Sequence, residues 1–314
     1  MWKHIRNLVL IFIVLGAIGI WYLSRPDVAT VSLDAVSGTK PAIGAPREQI
    51  IPTVKIADVD RWKSGEKPVV AAGLTVDRYA EGLDHPRNLY VLPNGDVLVA
   101  ETNSPPKESG GITGMVMGWL MKKAGAGVPS ANRISLLRDA DGDGTPELKT
   151  PFLTGLNSPF GMALIGDTLY IANTDAVLAF PYKEGDTQIA EKGRKLIGLN
   201  SKGPNNHWTR NLAASADGKM LYIAVGSNSN IGENGMDTED GRAMVLAYDF
   251  AKKRAAPVSS GMRNPVGLAF ASDGILWATV NERDMLGSDL VPDYLAQVEF
   301  GADYGWPQHF WGGY

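Results

Sequence analysis

Gly261-Met262-Arg263-Asn264-Pro265-Val266-Gly267-Leu268 is followed by Ser272-Asp273-Gly274 and then by the apolar run 275–280. In order, this is a loop, a strand, a tight turn and a second strand, because Asp-Gly between two apolar runs is a strong hairpin signal. The same order recurs three more times. Gly82-Leu83-Asp84-His85-Pro86-Arg87-Asn88-Leu89 leads through Pro93-Asn94-Gly95-Asp96 into 96–100, and Gly155-Leu156-Asn157-Ser158-Pro159-Phe160-Gly161-Met162 leads into 168–172. Gly203-Pro204-Asn205-Asn206-His207-Trp208-Thr209-Arg210 leads through Ala216-Asp217-Gly218-Lys219 into 220–225. Further strand candidates fall between the repeats at 133–137, 176–180 and 243–248. Several short strands per repeat, at a period of about 40–50 residues, point to the blades of a β-propeller. The alternation in 74–79 predicts a first strand there.

Working outward, the chain has 314 residues and is 44% hydrophobic, enough for a large core; its 36 glycines and 19 prolines suit a turn-rich fold. A net charge of −4 gives no general attraction to nucleic acid. Without cysteine, disulfides and thiolate metal sites are excluded. Lys3, His4 and Arg6 precede an uncharged apolar run, 8–23, closed by Ser24-Arg25-Pro26. That is the pattern of a signal peptide or a signal anchor. An uncleaved anchor over 1–25 is expected, with Trp21 and Tyr22 at the interface and the rest exported to the periplasm beside the inner membrane. Residues 26–68 read as a linker, and 69–314 as the propeller domain.

The spacing between the first two repeats is longer than between the last two, and the surplus lies in 104–130. Its apolar stretch 114–123 suggests a lid, a patch against membrane or partner, or a plug packed on the propeller. Asp139, Asp141 and Asp143, in Asp-Ala-Asp-Gly-Asp-Gly, open like a calcium loop, alternate residues turning carboxylates toward one hard cation. Thr150 stands at the twelfth position instead of a bidentate Glu, so a plain Asp/Gly turn at a hairpin tip is the other reading.

Two of the four loops carry chemistry. His207 offers an imidazole able to take a proton near neutral pH, and Arg263 a permanent cation with a planar set of donors. By itself His207 reads more readily as a packed or capping histidine, and Arg263 as an inter-blade ion-pair partner or a donor to backbone carbonyls. His85 and His309 read as structural, and Asp303-Tyr304-Gly305-Trp306-Pro307 as a folding feature.

From about residue 82 onward, the order of Gly261–Leu268, Asp273-Gly274-Ile275-Leu276-Trp277, Asn281-Glu282-Arg283-Asp284 and Asp303–Pro307 resembles the soluble pyrroloquinoline quinone (PQQ)-dependent sugar dehydrogenases, especially the L-sorbosone and aldose sugar dehydrogenase branch. The resemblance implies an all-β, six-bladed propeller holding PQQ over a calcium ion. It implies oxidation of a sugar or sugar-derived aldehyde, with hydride passing to the quinone and onward to an unidentified electron acceptor. His207 matches the family's base, although Asn206 stands where the family has an acid. Arg263 and Asn264 match the pair that lies against the quinone. Asn281, Glu282 and Arg283 fall where main-chain oxygens bind the quinone's calcium, with different side chains. At four visible repeats the chain is expected to be C-terminally truncated, with an incomplete ring. A calcium-dependent propeller lactonase and a non-catalytic, envelope-anchored binding propeller are the competing readings.

Overall fold

The structure is a computed structural model that describes residues 2–47, 53, 55–57, 59–60, 62–106 and 111–310. An apolar helix, α1 (Trp2–Leu23), opens the chain. It buries none of its residues and is the one helix among the described residues long and apolar enough to cross a membrane.

The repeats fold as four antiparallel meanders, each with its strands in chain order. The first sheet is β1 (Pro86–Val91), β2 (Val97–Glu101), β3 (Arg133–Arg138) and β4 (Leu148–Leu153), and the second β5 (Met162–Ile165), β6 (Thr168–Ala172), β7 (Ala176–Pro181) and β8 (Arg194–Gly198). The third is β9 (Arg210–Ala214), β10 (Met220–Val225), β11 (Met244–Asp249) and β12 (Arg254–Ser260). The last described sheet is β13 (Asn264–Phe270), β14 (Leu276–Asn281) and β15 (Tyr294–Gln297). These are propeller blades packed face to face. Leu98, Ile134 and Phe152 meet Met162, Leu169 and Ile171 of the second blade. Tyr170 and Val177 meet Leu212, Leu221 and Ile223 of the third, whose Ala224 and Val245 meet Leu268, Ala278 and Val280 of the fourth. This stacking explains why β2, β6 and β10 read as nearly unbroken apolar runs: such strands are covered on both faces.

The first strands of successive blades are stitched to one another. Asn88 Nδ2 donates to Phe160 O at 3.0 Å, Gly161 N to Arg210 O at 2.8 Å, and Asn211 Nδ2 to Val266 O at 2.7 Å. Gly161 permits this closeness, since a Cβ there would lie 2.6 Å from Leu212 N. Proline is admitted into β1 and β13 by the same device, a shift in register between Pro86 and Asn88 and between Pro265 and Gly267.

Three expectations need correction or refinement. Residues 74–79 form no strand: the ladder begins at Pro86, Leu74 is exposed, and Val76 and Tyr79 are only half-buried, with no neighbouring strand to pair with among the described residues. The apolar insert is helical, α3 (Gly111–Lys123 in chain order after a short helix α2, Leu33–Val36). Met115, Val116, Met117, Trp119 and Met121 are exposed, which overturns the plug reading. Apart from α2, the described residues of 26–68 form no helix or strand, and part of this segment docks. Thr30 and Val31 donate to the Asp289 carboxylate, Ser288 donates to Asp27 at 2.9 Å, and Ile43 packs with Leu286, Leu290 and Phe310. The described residues contain four sheets, and both end sheets keep exposed apolar side chains, Leu89 and Val91 on β1 and Leu295 on β15.

Candidate active site

At the end of β10 the apolar run gives way to Gly226-Ser227-Asn228-Ser229-Asn230. Ser227, Asn228 and Ser229 are fully buried. Part of this polar content is met locally: Glu239 accepts from Asn228 N and from Ser229 Oγ, and Asn228 Oδ1 accepts from Asn205 N at 2.6 Å, while Asn228 Nδ2 has no partner among the described residues. This segment organises both chemical loops. His207 Nδ1 lies 3.0 Å from Ser227 O and 2.8 Å from Ser227 Oγ. Ser227 Oγ donates its own proton to Ser229 O at 2.7 Å. A carbonyl oxygen accepts, and a hydroxyl whose proton is committed elsewhere also accepts, so the proton of this bond belongs to Nδ1. In the neutral ring Nε2 then carries the lone pair.

Asn264 stands beside the histidine. Gly226 separates them so closely that a Cβ there would lie 2.6 Å from His207 Cβ and 2.3 Å from Asn264 Oδ1. Asn264 Nδ2 reaches Asn281 Oδ1 at 3.3 Å, while its buried Oδ1 has no hydrogen-bond partner among the described residues. The backbone ties the two loops together: Ser227 N donates to Arg263 O at 2.7 Å.

Arg263 is 3% exposed, and each of its nitrogens donates within the protein. Nε bonds Asn230 O at 3.0 Å; Nη2 bonds Asn230 Oδ1 at 2.7 Å and Asp284 Oδ2 at 2.9 Å. Nη1 bonds Glu282 O and, at 3.4 Å, Asn281 O. Burial lowers the guanidinium's pKa against the pull of Asp284 and Glu282. Burial also raises the Glu282 carboxyl, more than Arg283 N and Arg263 hold it down. Arg263 is thus both the carbonyl donor and the ion-pair partner of the plainer sequence reading. The structure brings Arg263, Asn281 and Glu282 into one corner, and joins it through Ser227 and Asn264 to His207. Arg283 is half-buried, and its Nε has no partner among the described residues. His85 is held through Nδ1 to Thr102 O at 2.8 Å. The closing segment braces Gly261: Trp306 N donates to Gly261 O, and Trp306 Nε1 to Asn230 O at 2.9 Å.

The acidic loop lies elsewhere, at the tip between β3 and β4 beside the start of β2. Asp139, Asp141, Asp143 and Glu147 bring one oxygen each within 4.8 Å of one another. Asp139 Oδ1 accepts from Gly142 N at 2.8 Å and Oδ2 from Gly144 N at 2.8 Å, which curls the loop around it. Glu147, the ninth residue of the same loop, joins the three aspartates and was not singled out by the Asp-x-Asp-x-Asp spacing. Gly226–Asn230 escaped it too, although a strand that breaks into Gly-Ser-Asn-Ser-Asn is itself a signal of a loop with buried polar work to do.

A profile of the TrAA12-like family matches residues 68–292. A curated pyrroloquinoline quinone-dependent sugar dehydrogenase of Hypocrea jecorina (strain QM6a) is 22% identical over 231 residues, 70% of this chain and 48% of the relative. The chain therefore spans about half the length of that relative. Among solved structures, the calcium form of the Trichoderma reesei family AA12 enzyme has a TM-score of 0.61 at 19% identity, over 76% of this chain and 60% of that one. The holo PQQ domain of pyranose dehydrogenase from Coprinopsis cinerea has a TM-score of 0.57 at 18% identity, over 74% and 55%. The PQQ-bound aldose sugar dehydrogenase of Streptomyces coelicolor has a TM-score of 0.53 at 20% identity, over 76% and 67%. These structures share the fold.

Proposed function

Since this chain belongs to the TrAA12-like family, we propose that it is a quinoprotein oxidoreductase that oxidises a sugar or sugar-derived aldehyde with PQQ as hydride acceptor, a sorbosone-like compound being one candidate. The observation that carries the reading is His207, whose Nδ1 faces Ser227 O and Oγ so that Nε2 is the basic atom of the neutral ring, set beside a buried amide oxygen with no partner among the described residues. An orphaned buried acceptor next to a base fits a polar ligand in that position. Arg263, buried and cationic, supplies a positive potential close by.

When bound, PQQ supplies an electrophilic quinone that accepts hydride. The chain's own residues do the rest. His207 Nε2 takes the substrate hydroxyl proton as hydride leaves the same carbon, and Ser227 O and Oγ stabilise the imidazolium through Nδ1. Asn264 holds the ligand by its amide. Arg263 acts through its field, favouring negative charge that grows on the ligand, with its shape fixed by Asn230, Glu282 and Asp284. Calcium on the main-chain oxygens of Asn281, Glu282 and Arg283 would share the first two with the cationic Arg263 Nη1, which already bonds them. No step here depends on a metal there. A structural calcium is proposed instead at Asp139, Asp141 and Asp143, joined by Glu147. A six-bladed ring for the whole protein is part of the same proposal. So is anchoring in the inner membrane: α1, at 22 residues, is about 33 Å long against a hydrocarbon core of roughly 30 Å.

The test is turnover of aldoses, ketoaldehydes and alcohols with PQQ, Ca²⁺ and an artificial electron acceptor. PQQ-dependent turnover is expected, falling by about 10²–10⁴ in His207→Ala with cofactor affinity little changed. Lactone hydrolysis without quinone, or no uptake of PQQ at all, would replace this reading by the hydrolase or the binding scaffold respectively.

A further inference from the structure

Arg210 and Arg242 are among the largest fully buried side chains in the protein, 0% and 2% exposed. Their hydrogen bonds go to uncharged acceptors. Arg210 donates to His207 O at 2.7 Å, Thr209 O at 2.9 Å, Asn200 O at 3.0 Å and Asn205 Oδ1 at 3.1 Å. Arg242 donates through Nε to Gly226 O at 3.0 Å and through Nη1 to Asn200 O at 3.1 Å. Its Nη2 reaches Asn205 Oδ1 at 2.8 Å, Ser227 O at 3.0 Å and His207 O at 3.1 Å. The two cations therefore share three acceptors: Asn200 O, Asn205 Oδ1 and His207 O. Asp175 and Glu239 bear on them only through space. Burial disfavours the charge on both, and on Arg210 the neighbouring Arg242 adds to it.

Holding two like charges together in the interior is unfavourable, and packing alone would be met by apolar side chains. What the arrangement secures is a set of carbonyls. Arg242 Nη2 spans the base's own carbonyl and the Ser227 carbonyl that receives Nδ1–H. One planar group thus fixes the backbone of His207 relative to the acceptor that turns its ring. An ammonium has no such fork.

We propose that Arg242, backed by Arg210, is a positioning residue for His207, holding the imidazole in the Nδ1–H form with Nε2 toward the substrate. The proposal rests on the reading of His207 as the base. It is tested on the full chain in detergent, without cofactor, by ¹⁵N NMR of the imidazoles, which are only four and are assigned with His207→Ala. Parent His207 is expected as Nδ1–H; a parent in the Nε2–H form overturns the proposal without any variant. Arg242→Gln should give a mixture of tautomers, and on reconstitution a kcat about 10–100-fold lower with KM for sugar within about threefold. Arg242→Lys should not rescue. If Arg242→Gln fails to fold, Arg210→Lys, which keeps the Arg242 bond to Ser227, serves as a milder loosening with the same readouts. A variant that melts earlier but keeps the parent tautomer and kcat shows a merely structural pair and overturns the proposal. The two readings fail separately: undiminished turnover in His207→Ala removes the base, whereas an unmoved tautomer in Arg242→Gln with an inactive His207→Ala removes only the positioning.

Discussion

Gly226→Ala isolates the geometry on which the site depends. The φ of Gly226 is not in the left-handed region, so alanine brings no backbone strain. It brings a methyl group 2.6 Å from His207 Cβ and 2.3 Å from Asn264 Oδ1, where ordinary contact begins at about 3.4 Å. His207 must therefore retreat by about 0.8 Å and the Asn264 amide by about 1.1 Å. Each movement strains a contact, because Ser227 holds the imidazole and Asn281 the amide. Overpacking of this kind costs about 1–3 kcal/mol, which lowers the melting midpoint by several degrees in a domain of this size. A misplacement near 1 Å at a reacting group costs about 10²-fold in rate. The assay pairs a thermal melt with turnover per folded, PQQ-loaded molecule. A folded variant that turns over at the parent rate would refute the claim that His207 and Asn264 work in register across Gly226.

Other expectations follow from single contacts. Glu101 is buried and, although burial raises its carboxyl, bonds from Arg133, Ser135 and Asp84 N hold it below its ordinary value. Its stabilisation is thus complete above about pH 4.5 and is lost as pH falls through the lowered value, and Glu101→Gln should cost about 1–3 kcal/mol at pH 7 and flatten the acid limb of a melting-against-pH curve. Asp141→Asn with Asp143→Asn should weaken calcium binding, measured calorimetrically on cofactor-free protein, by about tenfold or more; parent-like binding leaves only a turn. Asp289→Ala removes the acceptor for Thr30 and Val31, and should open 27–47 to proteolysis while leaving the blades resistant; equal cleavage of parent and variant would show that the lead-in is held elsewhere.

The blades were legible because their signals are local. Asp-Gly turns, Pro before a strand and unbroken apolar runs each act within a few residues, and four copies reinforce one another. The misread strand at 74–79 had the alternation but no ladder partner, and partnership is a property of the fold. Arg263 was found by its place in the repeat, yet no spacing could foretell that its donors would be engaged by Asn230 and the Asn281–Asp284 corner. Those partners are loops of two different blades. The contact of Ser227 with His207 was hidden for the same reason, since a serine in a loop carries no local sign of its partner.

The repeat itself explains why the chemistry falls where it does. Pro86 and Pro265 precede the same shift in register, so Leu89 and Leu268 are equivalent positions. Counting back equally from these residues, and from Met162 and Leu212, reaches Asp84, Asn157, His207 and Arg263. In the first two blades this position does structural work: Asp84 pairs with Arg133 at 2.8 Å, and Asn157 O accepts from Thr174 N at 3.0 Å. In the next two it carries His207, the proposed base, and the buried cation Arg263. Ser227 receives His207 on its carbonyl and hydroxyl, and gives its N–H to the carbonyl of Arg263. His207 and Arg263, though on different blades, are therefore held through one residue, and a displacement of either loop is transmitted to the other.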